Sequence, residues 1–284
     1  MVFSLVANSL ALAALLIMLA SGLALIYGLR DVMNFGHGAI YMLGAYLGYT
    51  VSQFADFWVA LVAVPVILAG VGIVFEYLVL RPLQNRPHIE VALITFGLGI
   101  IVAQGLTSIY GGAALTVNPP TGLTGSIDLF GIDYPAYRFF LIVVGLGLCV
   151  ALAAWLNLSK TGMYVRATSR DPSVARMMGV NASRLSLLVS CLSLAFAGIA
   201  GVLAGPYLSV DPGMDVAMMV TCLIIVVVGG TGSIAGAIVA AVLYGFVQVA
   251  GTVFLPTVAP MVPYALLMAI LLFRPQGIGL GHGH

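Results

Sequence analysis

Apolar residues in this chain come in long runs, separated by short clusters of glycine, proline and charge. The runs fall at about 6–27, 39–54, 58–80, 91–110, 139–158 and 185–208, followed by shorter ones at 216–228, 234–253 and 262–273. A stretch of 18 or more apolar residues is long enough to cross ~30 Å of hydrocarbon as a helix. The run at 216–228 would reach only roughly 20 Å at ~1.5 Å per residue. The pattern predicts an all-α integral membrane protein, a polytopic bundle of about eight or nine transmembrane segments. Some of those segments are expected to be broken or re-entrant.

The interruptions carry the topology. The third run ends at Arg81-Pro82, where proline closes a helix, and the loop that follows holds Arg86. The segment 111–137 has glycines, prolines, Asp128 and Asp133 but no Lys or Arg before Arg138. It reads as the outer side, with short irregular structure on the membrane face. These assignments place the N-terminus outside and the C-terminus inside. Two further interruptions, at 34–38 and 229–233, are rich in glycine and fall one in each half of the chain.

The most basic loop, 159–184, holds Lys160, Arg166, Arg170, Arg176 and Arg184, five of the ten basic residues. Each such charge at the bilayer centre would cost ~3 kcal/mol, so the loop belongs on the cytoplasmic side. Inside it a short helix is punctuated by Asp171 as N-cap and Pro172 at the first helical position; Gly179 and Asn181 stop it. Ala175 and Gly179, spaced i and i+4, give that helix a small-residue face. Two readings fit: an ordinary loop helix obeying the positive-inside rule, or a surface for a cytoplasmic partner.

Composition narrows the function classes. Of 284 residues, 62% are hydrophobic and 7% charged, with mean hydropathy +1.17. Soluble domains carry about 25% charged residues. The net charge of +1 indicates no nucleic-acid surface. Cys149, Cys191 and Cys222 lie far apart in apolar runs and read as small hydrophobes, not as a disulfide frame or metal site. No Lys or Arg precedes the first apolar run, so no cleavable signal peptide is expected. One membrane domain over 1–284 accounts for the chain. His282 and His284 form a weak metal-like tail, and no catalytic constellation stands out. The glycine-rich 229–233 lacks the lysine of a phosphate-cradling loop.

Carboxylates within spans are nearly absent. Glu76 alone lies clearly inside one, where it is expected to pair with Arg81 or Arg86 at the helix end, with a proton relay as the other reading. Carriers driven by protons or sodium keep ionisable groups at mid-membrane, so energy here is expected from elsewhere, or the protein is a passive pore. Paired breaks in transporters mark places where backbone groups face a cavity. Candidates for such a path are Asn34, His37, Gly229, Gly230, Gly232 and Ser233, with Thr95 and Gln104 on the fourth span. For each, a satisfied structural hydrogen bond or simple packing is the competing reading.

Several motifs together resemble a known family. They are 27–38 (Tyr-Gly-Leu-Arg-Asp-Val-Met-Asn-Phe-Gly-His-Gly), Leu80-Arg-Pro82, Arg166-Ala167, Met178-Gly-Val-Asn181, Ala197-Gly-Ile-Ala-Gly-Val202, 229–236 and Arg274-Pro-Gln-Gly-Ile278. Spread over nearly the whole chain, they resemble the permease subunits of bacterial ABC importers for branched-chain amino acids, the LivH type. Ser173-Val-Ala-x-x-x-Gly179 is similar to the loop that such permeases present to their ATPases, with Ser173-Val174 in place of Glu-Ala. The resemblance implies ATPase coupling through Arg166, Asp171, Pro172, Ala175, Gly179 and Asn181. It implies a second homologous permease subunit, two cytoplasmic ATP-binding subunits that use ATP and Mg, and a periplasmic substrate-binding protein, in the bacterial inner membrane. No cofactor is expected on this chain. Members of the same family move urea, short amides or other small acids. The rivals are a stand-alone secondary carrier or facilitator, and a scaffold or receptor subunit.

Overall fold

α1 (Val2–Arg30) is the axis on which the other helices are assembled, and it is buried along almost its whole length from Ala7 to Ile26. A computed structural model describes residues 2–84, 86–129, 131–274 and 277–278. The tail with His282 and His284 lies outside the described residues. The remaining helices are α2 (His37–Phe54), α3 (Phe57–Phe75), α4 (His88–Tyr110), α5 (Ala136–Leu158), α6 (Lys160–Arg170), α7 (Pro172–Met177), α8 (Ala182–Leu208), α9 (Met214–Gly229), α10 (Ile234–Phe254) and α11 (Val262–Phe273). α3 continues into one π turn, Glu76–Leu80.

Every apolar run of the sequence becomes helix. Among the described residues, six are long and apolar enough to cross a membrane: α1, α3 with its π turn, α4, α5, α8 and α10. α2, α9 and α11, with 18, 16 and 12 residues, do not combine that length with that hydropathy. This is a polytopic all-α membrane protein with part-length helices among its spans.

Contacts between α1 and α8 fix their directions. Ser193 Oγ donates to the Gly22 carbonyl at 2.6 Å, and Arg30 Nε donates to Ser186 Oγ at 2.7 Å, so the two helices are antiparallel. Each is followed by a short segment and then a helix that starts part-way back along the bundle. The residue just after each helix, Asp31 (φ 55) and Ser209 (φ 67), is left-handed; among the described residues these are the two non-glycine positions with positive φ. The same number of residues separates the start of α2 from that of α9 as separates α3 from α10. α3 packs on α8 as α10 packs on α1. The chain is therefore built as two halves of opposite orientation, α1–α2–α3 and α8–α9–α10. Sequence reading found no such repeat, because the two halves share backbone geometry and not a motif.

Small residues set the helix spacing. Gly44 lies against Gly198 and Gly48 against Val202, so α2 runs parallel to α8. Gly145 meets Ala14 across α5 and α1. Without a hydrophobic drive between helices in lipid, such close approach supplies the dispersion contact that holds them.

At the acidic end, segment 111–135 is more regular than expected. It contains a hairpin of β1 (Ser126–Leu129) and β2 (Ile132–Pro135), with Asp128 opposite Asp133. The Asp128 carboxylate accepts from the Gly131 N–H at 2.7 Å and closes the turn. A bridge between Leu115 and Val210 ties this region to the segment that follows α8.

Candidate functional site

α1 ends at Arg30, and residues 31–36 then turn back along it. The ring of His37 lies 3.1 Å from the Leu19 carbonyl. Eleven residues of helix correspond to roughly 16 Å, so the chain climbs that far into the bundle before α2 begins. Side chains hold the climbing segment. The Phe35 N–H donates to Thr95 Oγ1 at 3.1 Å, and the Gly36 N–H donates to Asn34 Oδ1 at 3.1 Å. Thr95 in turn donates to the Ala92 carbonyl. Asn34, His37 and Thr95 are all buried. Thr95 and Asn34 both hold the segment at Phe35 and Gly36, and His37 holds it to α1 at Leu19.

The start of α2 meets the start of α9. A Cβ at Gly38 would overlap the Asp215 carbonyl oxygen and crowd the Met219 Cβ. From this meeting point α2 runs to the acidic end and α9 to the cationic end. Neither helix has a side-chain N-cap, so two sets of backbone N–H groups converge inside the bundle, where they favour negative charge. Asn34 Nδ2, His37 Nδ1 and the Tyr41 hydroxyl are buried without a hydrogen-bond partner among the described residues, as is the Tyr46 hydroxyl roughly 12 Å from Gly38 along α2.

The break at 229–233 is placed differently. Gly232, with φ +81, packs against Gly28 of α1, with the Tyr27 ring beside it. Gly229 meets Gly236 backbone to backbone, and Ser233 caps α10 by accepting from the Gly236 N–H at 3.0 Å. Gly230 lies against Gly277, and the Ile278 N–H donates to the Val228 carbonyl at 2.7 Å. This break sits at the last turn of α1, roughly 14 Å along that helix from the level of His37. Gln104 is exposed on α4.

Glu76 does not pair with Arg81 or Arg86. It is buried (1% exposed) at the first residue of the π turn, and its partner is Arg30 from α1. Arg30 also donates to the Leu80 carbonyl at 2.9 Å, and Ser190 donates to the other Glu76 oxygen at 2.8 Å. The expectation failed because it considered only partners close by in sequence. The antiparallel packing of α1, α3 and α8 brings a partner from 46 residues away. Arg86 instead pairs with Glu90, at 3.7 Å and exposed. Arg81 lies over the Tyr77 ring at 4.7 Å.

At the cationic end the basic loop folds as two helices where one was expected. Ser159 caps α6, accepting from the Gly162 N–H. Asp171 caps α7, accepting from the N–H groups of Ser173 and Val174 at 2.9 Å each, with Pro172 at the first position. Gly179, at φ +85, ends the turn. Asn181 proves to be the N-cap of α8, accepting from the Arg184 N–H at 3.0 Å. Ala175 is buried against the protein's own core, so the small-residue face is not the outward one. What α7 exposes is Val174, Met177 (78%) and Met178 (80%), together with Arg176. Sequence reading missed these because it weighed charge and caps. Arg166 lies exposed on α6. Between this helix pair and the root of the 31–36 segment lies a cavity of about 650 Å³, bordered by Val32, Arg30, Glu76, Pro172, Arg176 and Asn181 among others.

A helix interrupted inside the bundle, a short exposed helix at the cationic end and a cavity between them are thus brought together. Comparison with known proteins shows the family. Residues 5–272 match the family described as the permease component of the branched-chain amino acid transport system. The chain belongs to that family. It is 25% identical to the high-affinity branched-chain amino acid transport permease LivH of Salmonella typhimurium, over 95% of this chain and 93% of that protein. BraD of Pseudomonas aeruginosa, named for the same transport, is also 25% identical with the same coverage. LivM of Salmonella typhimurium is 30% identical over 92% of this chain and 67% of its own length.

Proposed function

We propose that this chain is the membrane-spanning half-pathway of an ATP-driven importer of branched-chain or other small amino acids, with no chemistry of its own. The observation that carries the reading is the capped helix α7, which holds Met177 and Met178 out from a basic surface next to the cavity below the broken helix. An exposed apolar patch on such a surface is what a docking partner covers. Here that partner is a cytoplasmic ATP-binding subunit, one of two, which binds and hydrolyses ATP with Mg. Arg166, Asp171, Pro172, Gly179 and Asn181 shape or flank the seat, and the buried Ala175 transmits its movement to α8. α4, with Leu93, Ile101 and Ile109 exposed, offers a surface for a second homologous permease. A periplasmic binding protein delivers the solute at the acidic end, in a bacterial inner membrane.

Asn34, His37 and Thr95 line the path at mid-depth, where the converging N-termini of α2 and α9 suit a carboxylate in transit. The 229–233 break, with Gly229, Gly230, Gly232 and Ser233, borders the path at its cytoplasmic end and hinges α9 on α1. ATPase closure biases the two states through differential contact at α7.

The test is uptake into proteoliposomes containing the permease pair, the ATPase subunits and the binding protein. Labelled leucine should accumulate only with ATP and binding protein together. Accumulation driven by a proton or sodium gradient without the ATPase would overturn the reading.

A further inference from the structure

The cavity at the cationic end is bordered by side chains of two kinds. Leu29, Val32, Leu80, Leu83 and Val91 are aliphatic. Arg30, Arg81 and Arg176 border it together with one carboxylate, Glu76, which is already bound to Arg30 and Ser190. Arg81 and Arg176 have no carboxylate partner among the described residues; Arg81 rests only on the Tyr77 ring. The Thr168 hydroxyl, on the same cavity, is buried and without a partner there. Three guanidinium groups against one carboxylate leave the space net positive. At about 650 Å³ it is within the range of small-molecule sites. Val32, which borders it, is two residues from Asn34 on the climbing segment.

The geometry points to a binding site for an aliphatic carboxylate on the cytoplasmic side of this chain: the α-carboxylate of a branched-chain amino acid on Arg81 and Arg176, its side chain against Leu29, Val32 and Leu80. Guanidinium groups are suited to planar, bidentate capture of a carboxylate. These aliphatic groups select a branched side chain over a small or polar one. The choice of an amino acid as occupant rests on the importer reading above. The site holds solute after it has passed the α2–α9 junction. Because Arg176 belongs to α7, occupancy is linked to the position of the helix on which the ATPase acts. Solute accumulated in the cytoplasm then opposes further import.

The experiment is equilibrium binding of labelled leucine to the full-length chain in nanodiscs, without binding protein or nucleotide. Binding should be saturable, and isovalerate, which keeps the carboxylate, should displace it. Isopentylamine, which keeps only the ammonium, should not. A charge-assisted hydrogen bond of ~1.5 kcal/mol corresponds to about a tenfold change, so Arg81→Gln and Arg176→Gln should each weaken binding by about tenfold. Arg81→Lys, which keeps the charge but not the bidentate fork, should recover only part of it, and Lys160→Gln should leave it unchanged. Wild-type binding in a monodisperse Arg81→Gln sample, or equal displacement by the amine, would overturn the assignment. If ATP-driven leucine uptake fails while carboxylate-specific binding persists, the importer reading falls and the site stands.

Discussion

The breaks at 34–38 and 229–233 look alike as sequences, two short glycine-bearing gaps in apolar runs, and they are built by different means. The first is rooted in the Arg30–Glu76 ion pair, climbs into the bundle, and is held by Asn34, Thr95 and His37. The second stays at the last turn of α1 and is held by backbone laid on backbone, Gly232 on Gly28 and Gly229 on Gly236. The structural counterpart of the first break is the segment 209–213, which shares its left-handed first residue and ends where α9 meets Gly38. Glycine content therefore does not mark re-entry. What marks it is a polar side chain that follows the chain to depth and finds a partner there, since an unsatisfied backbone group in hydrocarbon costs several kcal/mol.

The largest effect should come from the root of the first break. Glu76→Ala leaves the Arg30 guanidinium unpaired in a largely buried place and should cost about 3 kcal/mol, read as a fall in thermal stability in detergent. Arg30→Met combined with Glu76→Leu should be milder than Glu76→Ala alone, because no orphaned charge remains. Additive losses would show that the pair does not anchor the segment.

The glycines separate the two breaks next. Gly38→Ala drives a methyl into the Asp215 carbonyl and should cost about 2 kcal/mol, with transport lost even where membrane insertion is normal. Gly232→Ala forces an L-residue to φ +81 and should cost about 1 kcal/mol, while leucine uptake per folded molecule falls far less. Equal loss of uptake in the two variants would erase the distinction between the breaks.

The smallest effect should be at the helix surface. Asp171→Ala removes a cap worth about 0.5–1 kcal/mol of local helix stability. It should reduce stimulation of the ATPase by permease without changing the stability of the membrane core. Asp171→Asn should retain most of the stimulation, since the amide oxygen still accepts from the Ser173 and Val174 N–H groups.

Much of this was legible from residues alone. The spans were, because apolar length maps directly onto helix. α7 was too, because Asp171-Pro172 and Gly179 state its ends in local chemistry. The partner of Glu76 was not, because Arg30 is 46 residues away and only helix packing joins them. The burial of Ala175 and the exposure of Met177 and Met178 escaped notice because a six-residue helix is too short to show periodicity. The inverted halves stayed hidden because Asp31 and Ser209 share a backbone angle that their side chains do not announce.

Under the proposed function, 31–36 borders a path that opens during ATP-driven turnover, while the hinge at 229–233 does not change its exposure. The direct measurement is thiol reactivity of Asn34→Cys and Ser233→Cys, each in a chain with Cys149, Cys191 and Cys222 replaced by alanine, in the assembled transporter. Asn34, 1% exposed at rest, should become reactive to a water-soluble reagent only when ATP and the binding protein are both present, and Ser233→Cys should react at one rate throughout. Protection of Asn34→Cys in every state, or turnover-dependent reactivity at Ser233→Cys alone, would rule out a path along 31–36.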